Sequence, residues 1–169
     1  MNGRHLNTND RIAFLVARTQ NVKIPDSHAD CFVCGHDGSL GVRFHASDTG
    51  VKAHLHVRED WQGYAGIMHG GMIATLLDAA MTHCLFHHGI EGLTADLQIR
   101  YLDAVPCSGT IDISASLTGQ RKRIYELSAE LSVAGKVKAR ARARFMRHIS
   151  QLKPNNATRH ASVPQPCSP

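Results

Sequence analysis

The stretch GYAGIMHGGMIATLLDAAMTHCLFHHG, residues 63 to 89, decides how this chain folds. It opens a long apolar run with His-Gly-Gly and places one carboxylate, Asp78, in the middle of that run. Plotted at about 100° per residue, residues 69–88 carry apolar groups on almost every side. A helix that is apolar nearly all round is buried on most sides. We therefore predict one long central helix that begins at the glycine pair.

The segments outside this helix alternate apolar and polar residues, which is typical of half-buried antiparallel strands. The alternation is clear in VKAHLHVRE (51–59), TADLQIRYL (94–102), TIDISASL (110–117), YELSAELSV (125–133) and KVKARARARF (136–145). A less regular strand is expected around residues 41–46. Two short strands, the helix and a four-stranded meander predict an α+β fold in which an antiparallel sheet wraps around one long central helix.

The 169 residues fit one domain, which we place at residues 29–148. Residues 1–28 are predicted to form an N-terminal extension with a short amphipathic helix at 8–20, and residues 149–169 a flexible tail. No apolar run is long enough for a transmembrane helix, and no secretion signal is recognisable. Five scattered cysteines favour a reducing compartment, so we expect a cytoplasmic protein without a membrane partner.

The formal charge of +5 favours anionic partners but does not select one class of them. Much of the positive charge lies on one face of the last predicted strand, between residues 136 and 144. Keeping the apolar faces of the last hairpin together pairs Val133 with Val137, and places Glu130 opposite Arg140 and Glu126 opposite Arg144. Because this face is largely paired and carries no aromatic side chains for base stacking, we expect no nucleic-acid partner.

The motif GxxGIMHGGMIATLLDAAM, followed by TADLQIRYLDAVP, resembles the hotdog-fold acyl-CoA thioesterases of the PaaI-like branch. It is also similar to the animal mitochondrial acyl-CoA thioesterases of that superfamily. The similarity runs from about residue 31 to residue 145. It implies a hotdog thioesterase domain that forms a homodimer or homotetramer, needs no cofactor, and hydrolyses an acyl-CoA thioester at the dimer interface.

Gly70 and Gly71 lie where the first backbone N–H groups of the helix lack an intrahelical partner. Glycine allows a ligand to approach closely, and the positive end of the helix dipole favours the oxyanion of a tetrahedral intermediate. Alternatively, the glycines only let the helix start pack tightly against the sheet. With Asp78 downstream, we favour an oxyanion hole and include the adjacent His69 among the catalytic residues.

A carboxylate such as Asp78 costs free energy on an apolar helix unless it is hydrogen-bonded or has a function. Burial also raises a carboxyl pKa, as a base for water requires. The family resemblance implies that Asp78 is the general base or the nucleophile, and that Thr94 positions it or the attacking water. The alternative is a polar contact at a dimer interface.

The residues expected to bind substrate lie on both sides of this motif. Many PaaI-like proteins carry an asparagine seven residues before the first glycine of the pair; here Gly63 occupies that position, and we expect Gln62 to supply its carbonyl contact. Arg121, Lys122 and Arg123 are expected to bind the CoA phosphates.

The spacing of the motif predicts a shared site. Eight residues on one helix place Gly70 and Asp78 about 12 Å apart along its axis. One thioester carbonyl cannot contact both, so if both act on one carbonyl they belong to different chains. A two-fold dimer supplies two equivalent sites of this kind.

Two groups of residues have a spacing that could bind metal. His83 and His87 lie one helical turn apart, without an evident third ligand. HADCFVCGH (28–36) offers His28, Cys31, Cys34 and His36 as four nominal zinc ligands, but the second pair is too tightly spaced for a usual zinc finger. We treat the helix histidines as core or interface residues and expect no metal site.

Two other functions remain open. A hotdog dehydratase would need a histidine beside its acid, and His87 lies roughly 180° around the helix from Asp78. A non-catalytic acyl-CoA-binding protein would need no base at position 78 and would carry a DNA-reading or partner module, which the sequence does not indicate. We therefore favour the thioesterase.

Overall fold

The structure is a computed structural model that describes residues 21–35 and 40–148. The predicted helix at 8–20 and the predicted tail at 149–169 lie outside these residues. The central helix is α1 (Gly70–His87), and two short 3-10 helices, Asp26–His28 and Glu59–Trp61, precede it in the chain. The strands are β1 (His45–Ser47), β2 (Gly50–His56), β3 (Gln62–Tyr64), β4 (Ile67–Met68), β5 (Gly92–Tyr101), β6 (Thr110–Arg121), β7 (Ile124–Val133) and β8 (Lys136–Arg147).

Six of the strands form one antiparallel sheet in the order β1-β2-β6-β7-β8-β5, and α1 packs against five of them. The predicted sheet wrapped around one central helix is confirmed. No helix in the described part of the chain has the length and apolar character needed to cross a membrane. The cytoplasmic location stays a prediction.

The core lies between α1 and the concave face of the sheet. Leu76, Leu77 and Met81 on the helix are fully buried, and each such side chain stabilises the fold by about 1.5–3 kcal/mol. Three of the four buried residues of β8 are small, namely Ala139, Ala141 and Ala143. These alanines let the large side chains of α1 approach the sheet closely.

The predicted meander of four strands is wrong at its first strand. β5 pairs with β8 instead of β6, so only β6, β7 and β8 form a meander. The connection from β5 to β6 runs past the start of α1, where it meets the β3–β4 hairpin, which the sequence analysis did not predict. Met68 N–H donates to Val105 O at 2.8 Å, and Cys107 N–H donates to Gly66 O at 2.9 Å. These bonds hold the connection in place across the helix start.

The β7–β8 hairpin has a shorter turn than predicted. Ala134 and Gly135 have φ values of 47° and 78°, and two such residues form the tight turn whose twist matches that of the strands. Val133 therefore pairs with Lys136, and the predicted pairing with Val137 is wrong.

A register shift further along the hairpin restores the predicted alignment of charges. Glu130 lies opposite Arg140 and Glu126 opposite Arg144, as predicted, and Glu130 Oε1 lies 2.8 Å from Arg140 Nε. Arg144 also donates to Asp96 on β5 at 3.1 Å. The basic face of β8 is thus paired with carboxylates on both neighbouring strands.

The described residues before β1 pack on the domain. Val22 is buried, and its N–H donates to Phe44 O at 3.0 Å. Of the predicted strand at 41–46, only His45 and Ala46 lie within β1. The segment 26–35 then passes the C-terminal half of α1, where the His28 ring lies 5.0 Å from that of Phe86.

Candidate active site at the helix start and the edge strand

The N-terminus of α1 is capped by a histidine side chain. His69 has extended backbone angles, and its Nδ1 accepts a hydrogen bond from Gly71 N–H at 2.9 Å. Ile73 N–H and Met72 N–H both donate to His69 O. Among the described residues, the Gly70 N–H has no hydrogen-bond partner. Of the two N–H groups expected to form an oxyanion hole, Gly70 therefore supplies the available donor, and Gly71 holds the His69 ring.

Two glycines make room for this ring. A Cβ at Gly71 would lie 2.9 Å from His69 Nδ1, and a Cβ at Gly63 would lie 3.0 Å from His69 Cδ2. Gly63, which stands where many similar proteins carry asparagine, thus packs against the cap. Gln62 Oε1 accepts from Gly66 N–H at 3.2 Å within the β3–β4 hairpin, so its carbonyl has a structural partner.

A tyrosine that the sequence analysis did not single out fixes the first peptide of α1. Tyr101 Oη donates to Gly70 O at 2.9 Å. The tyrosine stands at the end of β5 and is 51% exposed. A large, exposed aromatic residue at a strand end was the available signal, but the sequence does not show that this strand end lies beside the helix start.

Asp78 and Thr94 lie in direct contact. Thr94 Oγ1 donates to Asp78 Oδ1 at 2.8 Å, and Asp78 is half-buried in the outer surface of α1. Burial raises the pKa of the Asp78 carboxyl above its ordinary value, and the Thr94 hydrogen bond lowers the pKa in part. The arrangement suits a carboxylate that accepts a proton while one of its oxygens is held in place.

Both contacts come from one edge strand. β5 pairs with β8 along one side, and its other side pairs with no described residue. Leu97 and Ile99 are half-buried, as the alternation predicts, but Ala95 and Tyr101 of the same predicted face are exposed. A register shift between Thr94 and Asp96 turns the start of the strand, and nothing described covers its open edge.

A groove of about 330 Å³ begins at Thr94. It is lined by Leu93, Thr94, Ala95, Arg123, Met146, Arg147 and His148. Of the three basic residues expected to bind CoA phosphates, the structure places Arg123 in this groove and leaves Arg121 and Lys122 on the exposed turn beside it. Arg147 also lines the groove. The sequence analysis did not single it out, because a basic residue at the end of a long basic strand gives no separate signal.

The two helix histidines have different surroundings. His83 is 1% exposed, and its ring centroid lies 4.5 Å from that of Phe44. Burial lowers the pKa of His83 to about 4. His87 is exposed and lies toward the helix end. Neither histidine contacts Asp78 in the described structure.

Residues 65–139 match the family model of the thioesterase superfamily. The human protein acyl-coenzyme A thioesterase 13 is 29% identical over 101 residues, which cover 59% of this chain and 72% of that protein. A crystal structure described as a thioesterase superfamily protein has a TM-score of 0.61 and 25% identity, and the match covers 64% of this chain and 57% of that one.

A thioesterase protein from Streptococcus pneumoniae, solved with coenzyme A, has a TM-score of 0.57 and 22% identity. That match covers 59% of this chain and 82% of that one, and it shows a common fold. The sheet wrapped around α1 is therefore the predicted hotdog fold. Residues 65–139 are thus similar to the thioesterase superfamily, as the motif indicated.

Proposed function

We propose that this protein hydrolyses an acyl-CoA thioester to a free acid and CoA at a site shared by two copies of the chain. One observation carries the proposal. Strand β5 contacts α1 at both proposed catalytic positions, through Tyr101 on Gly70 at the helix start and through Thr94 on Asp78 in its middle, while its outer edge stays open in the described structure. The names of the similar proteins supply the substrate class.

An open edge of ten residues with exposed apolar side chains favours pairing with another strand. If β5 pairs antiparallel with β5 of a second copy, centred near residues 97 and 98, Tyr101 of one chain lies beside Thr94 of the other. Gly70 of one copy then approaches Asp78 of its partner. This pairing supports the same site in a dimer and in a tetramer built from two dimers.

In the general-base route, Asp78 accepts a proton from water as the water oxygen attacks the thioester carbonyl carbon. In the nucleophilic route, the Asp78 carboxylate attacks that carbon and water then hydrolyses the mixed anhydride. In both routes the carbonyl oxygen becomes an oxyanion, which accepts a hydrogen bond from Gly70 N–H of the partner. The C–S bond then breaks, and CoA leaves as a thiolate that takes up a proton.

The direct test is a panel of aliphatic and aromatic acyl-CoAs of different chain length, with detection of the released thiol. Hydrolysis of at least one member is expected. Failure of a folded, dimeric preparation to hydrolyse any of them would contradict the proposed activity.

The contact between Thr94 and Asp78 predicts a change in the pH profile. Because this hydrogen bond lowers the Asp78 pKa, Thr94→Val should raise that pKa further. The ionised form is the active one, so the acid limb of kcat/KM should move to higher pH. Thr94→Ser keeps the hydroxyl and should leave the limb in place. If the acid limb of kcat/KM falls at the same pH in the valine and serine variants, this positioning role of Thr94 is excluded.

The groove beside Thr94 predicts how the nucleotide part of CoA is bound. Arg123→Ala combined with Arg147→Ala should raise KM for an acyl-CoA about tenfold, which corresponds to about 1.4 kcal/mol. The same acyl group on pantetheine lacks the nucleotide phosphates, so its KM should not change. Arg58→Ala, which removes an exposed arginine paired with Asp60 outside the groove lining, is the control. A KM that rises equally for both substrates would argue against phosphate binding here.

A further inference from the structure

We propose that this domain binds a zinc ion between the segment 26–35 and α1, through His28, Cys34 and His83, with Cys31 as the fourth ligand. One ligand atom from each of His28, Cys34 and His83 lies within 4.8 Å of the other two. In a tetrahedral zinc site such atoms lie roughly 3.3–3.8 Å apart. Small side-chain movements would therefore close the three around one ion.

His83 supplies an independent reason. Its side chain is 1% exposed, and neither ring nitrogen has a hydrogen-bond partner among the described residues. A buried polar group without a partner costs about 1–3 kcal/mol. Coordination through one ring nitrogen would remove part of this cost. His28 approaches His83 from the segment 26–35, and the centroids of the two rings lie 6.2 Å apart.

The loop that carries the cysteines resembles a metal-binding turn in its backbone. Val33 N–H donates to Cys31 Sγ at 3.4 Å, and an N–H donor of this kind stabilises a thiolate. A Cβ at Gly35 would lie 2.5 Å from Cys31 O, so the tight turn depends on glycine.

The charges around the cluster favour two cysteine ligands. Arg43 donates to Cys34 O at 2.8 Å, which brings a cation close to the proposed ion. Two thiolates neutralise Zn²⁺, so Arg43 then lies beside a centre without net charge. The site would join the segment 26–35 to the buried helix. It lies apart from Asp78 and Thr94 and does not take part in hydrolysis.

The test measures metal and not activity, so its outcome is separate from that of the thioesterase. The whole chain is purified under reducing conditions without a chelator, and its zinc content is measured; about one zinc per chain is expected. After removal of zinc, Co²⁺ should give the absorption of tetrahedral cobalt with thiolate charge-transfer bands. His28→Gln, at a half-exposed position, and Cys34→Ser should each weaken Co²⁺ binding at least about tenfold.

His87→Gln and Cys107→Ser are the matched controls, because they change the same residue types outside the cluster. Both should keep the metal. If Cys34→Ser does not fold, the His28→Gln variant decides. Wild-type protein that holds no zinc and gives no thiolate–cobalt bands after reduction would overturn the proposal, as would equal loss of metal in the controls.

Discussion

Asp78→Asn is expected to lower the rate of thioester hydrolysis by about 10²-fold or more. The amide keeps the size of the side chain and can still accept the hydrogen bond from Thr94, which is 2.8 Å long in the native protein. It can neither accept a proton from water nor attack the carbonyl carbon. The loss should therefore appear in kcat for every substrate that the native enzyme hydrolyses.

The same substitution should not weaken the fold. The Asp78 pKa is higher in the folded chain than its ordinary value, so the folded state binds this proton more tightly. The stability that protonated Asp78 contributes is then lost as pH rises from its ordinary pKa to its higher pKa in the folded chain. At pH 7 the ionised carboxylate destabilises the native state, and the asparagine variant should unfold at an equal or higher temperature.

Asp112→Asn is the matched control, since Asp112 is exposed and bonds His54 at 2.7 Å on the far part of the sheet. It should leave hydrolysis unchanged. Near-native turnover in folded Asp78→Asn protein would show that Asp78 is only structural.

Mixed dimers should recover activity from two inactive variants. Gly70→Pro and Asp78→Asn, unfolded together in equal amounts and refolded, should form mixed dimers in half of the pairs. Each mixed dimer holds one site with both defects and one site with neither. Recovered activity should therefore approach about a quarter of the native value.

The structure makes Gly70→Pro a selective variant. Gly70 is the first residue of α1, where proline is tolerated, and His69 already has the extended backbone that a following proline requires. Proline removes the N–H that has no partner among the described residues. Gly70→Ala is the control, because its Cβ would lie in ordinary contact with Tyr101 at 3.5 Å and its N–H remains. The alanine variant should stay active.

Each variant must fold and dimerise alone before the mixture is interpreted. A site built within one chain would leave a defect in every site of the mixture. Well-formed mixed dimers without recovered activity would thus rule out the shared site and leave the fold unaffected.

Much of the fold follows from periodicity. The predicted helix at 69–88 is observed at Gly70–His87, and the alternating segments become β2 and β5–β8. Burial of one face gives every such strand a strong pattern, and the Glu130–Arg140 register follows from that pattern. The order of the strands does not follow from it. β5 alternates like β6, so nothing in its residues indicates that β8 is its neighbour.

The contacts of the candidate site follow from the sequence where its residues lie in one motif, and they do not follow where the residues lie far apart. His69, Gly70, Asp78 and Thr94 came from spacing and resemblance, and the structure places Thr94 on Asp78. Tyr101 depends on where a strand ends relative to a helix. The cluster of His28, Cys34 and His83 joins two groups that the sequence analysis weighed separately, because a separation of 55 residues between the histidines conceals their contact.

The open edge of β5 has a thermodynamic consequence for the proposed enzyme. Because one strand carries both the dimer contact and the side chains that hold Gly70 and Asp78, a substrate bound across the pair also links the two subunits. If dimer formation raises the affinity for substrate by some factor, linkage requires that bound substrate stabilises the dimer by the same factor. Bound acyl-CoA would then stabilise the dimer of the enzyme that hydrolyses it. The size of this stabilisation would depend on the concentration of subunits.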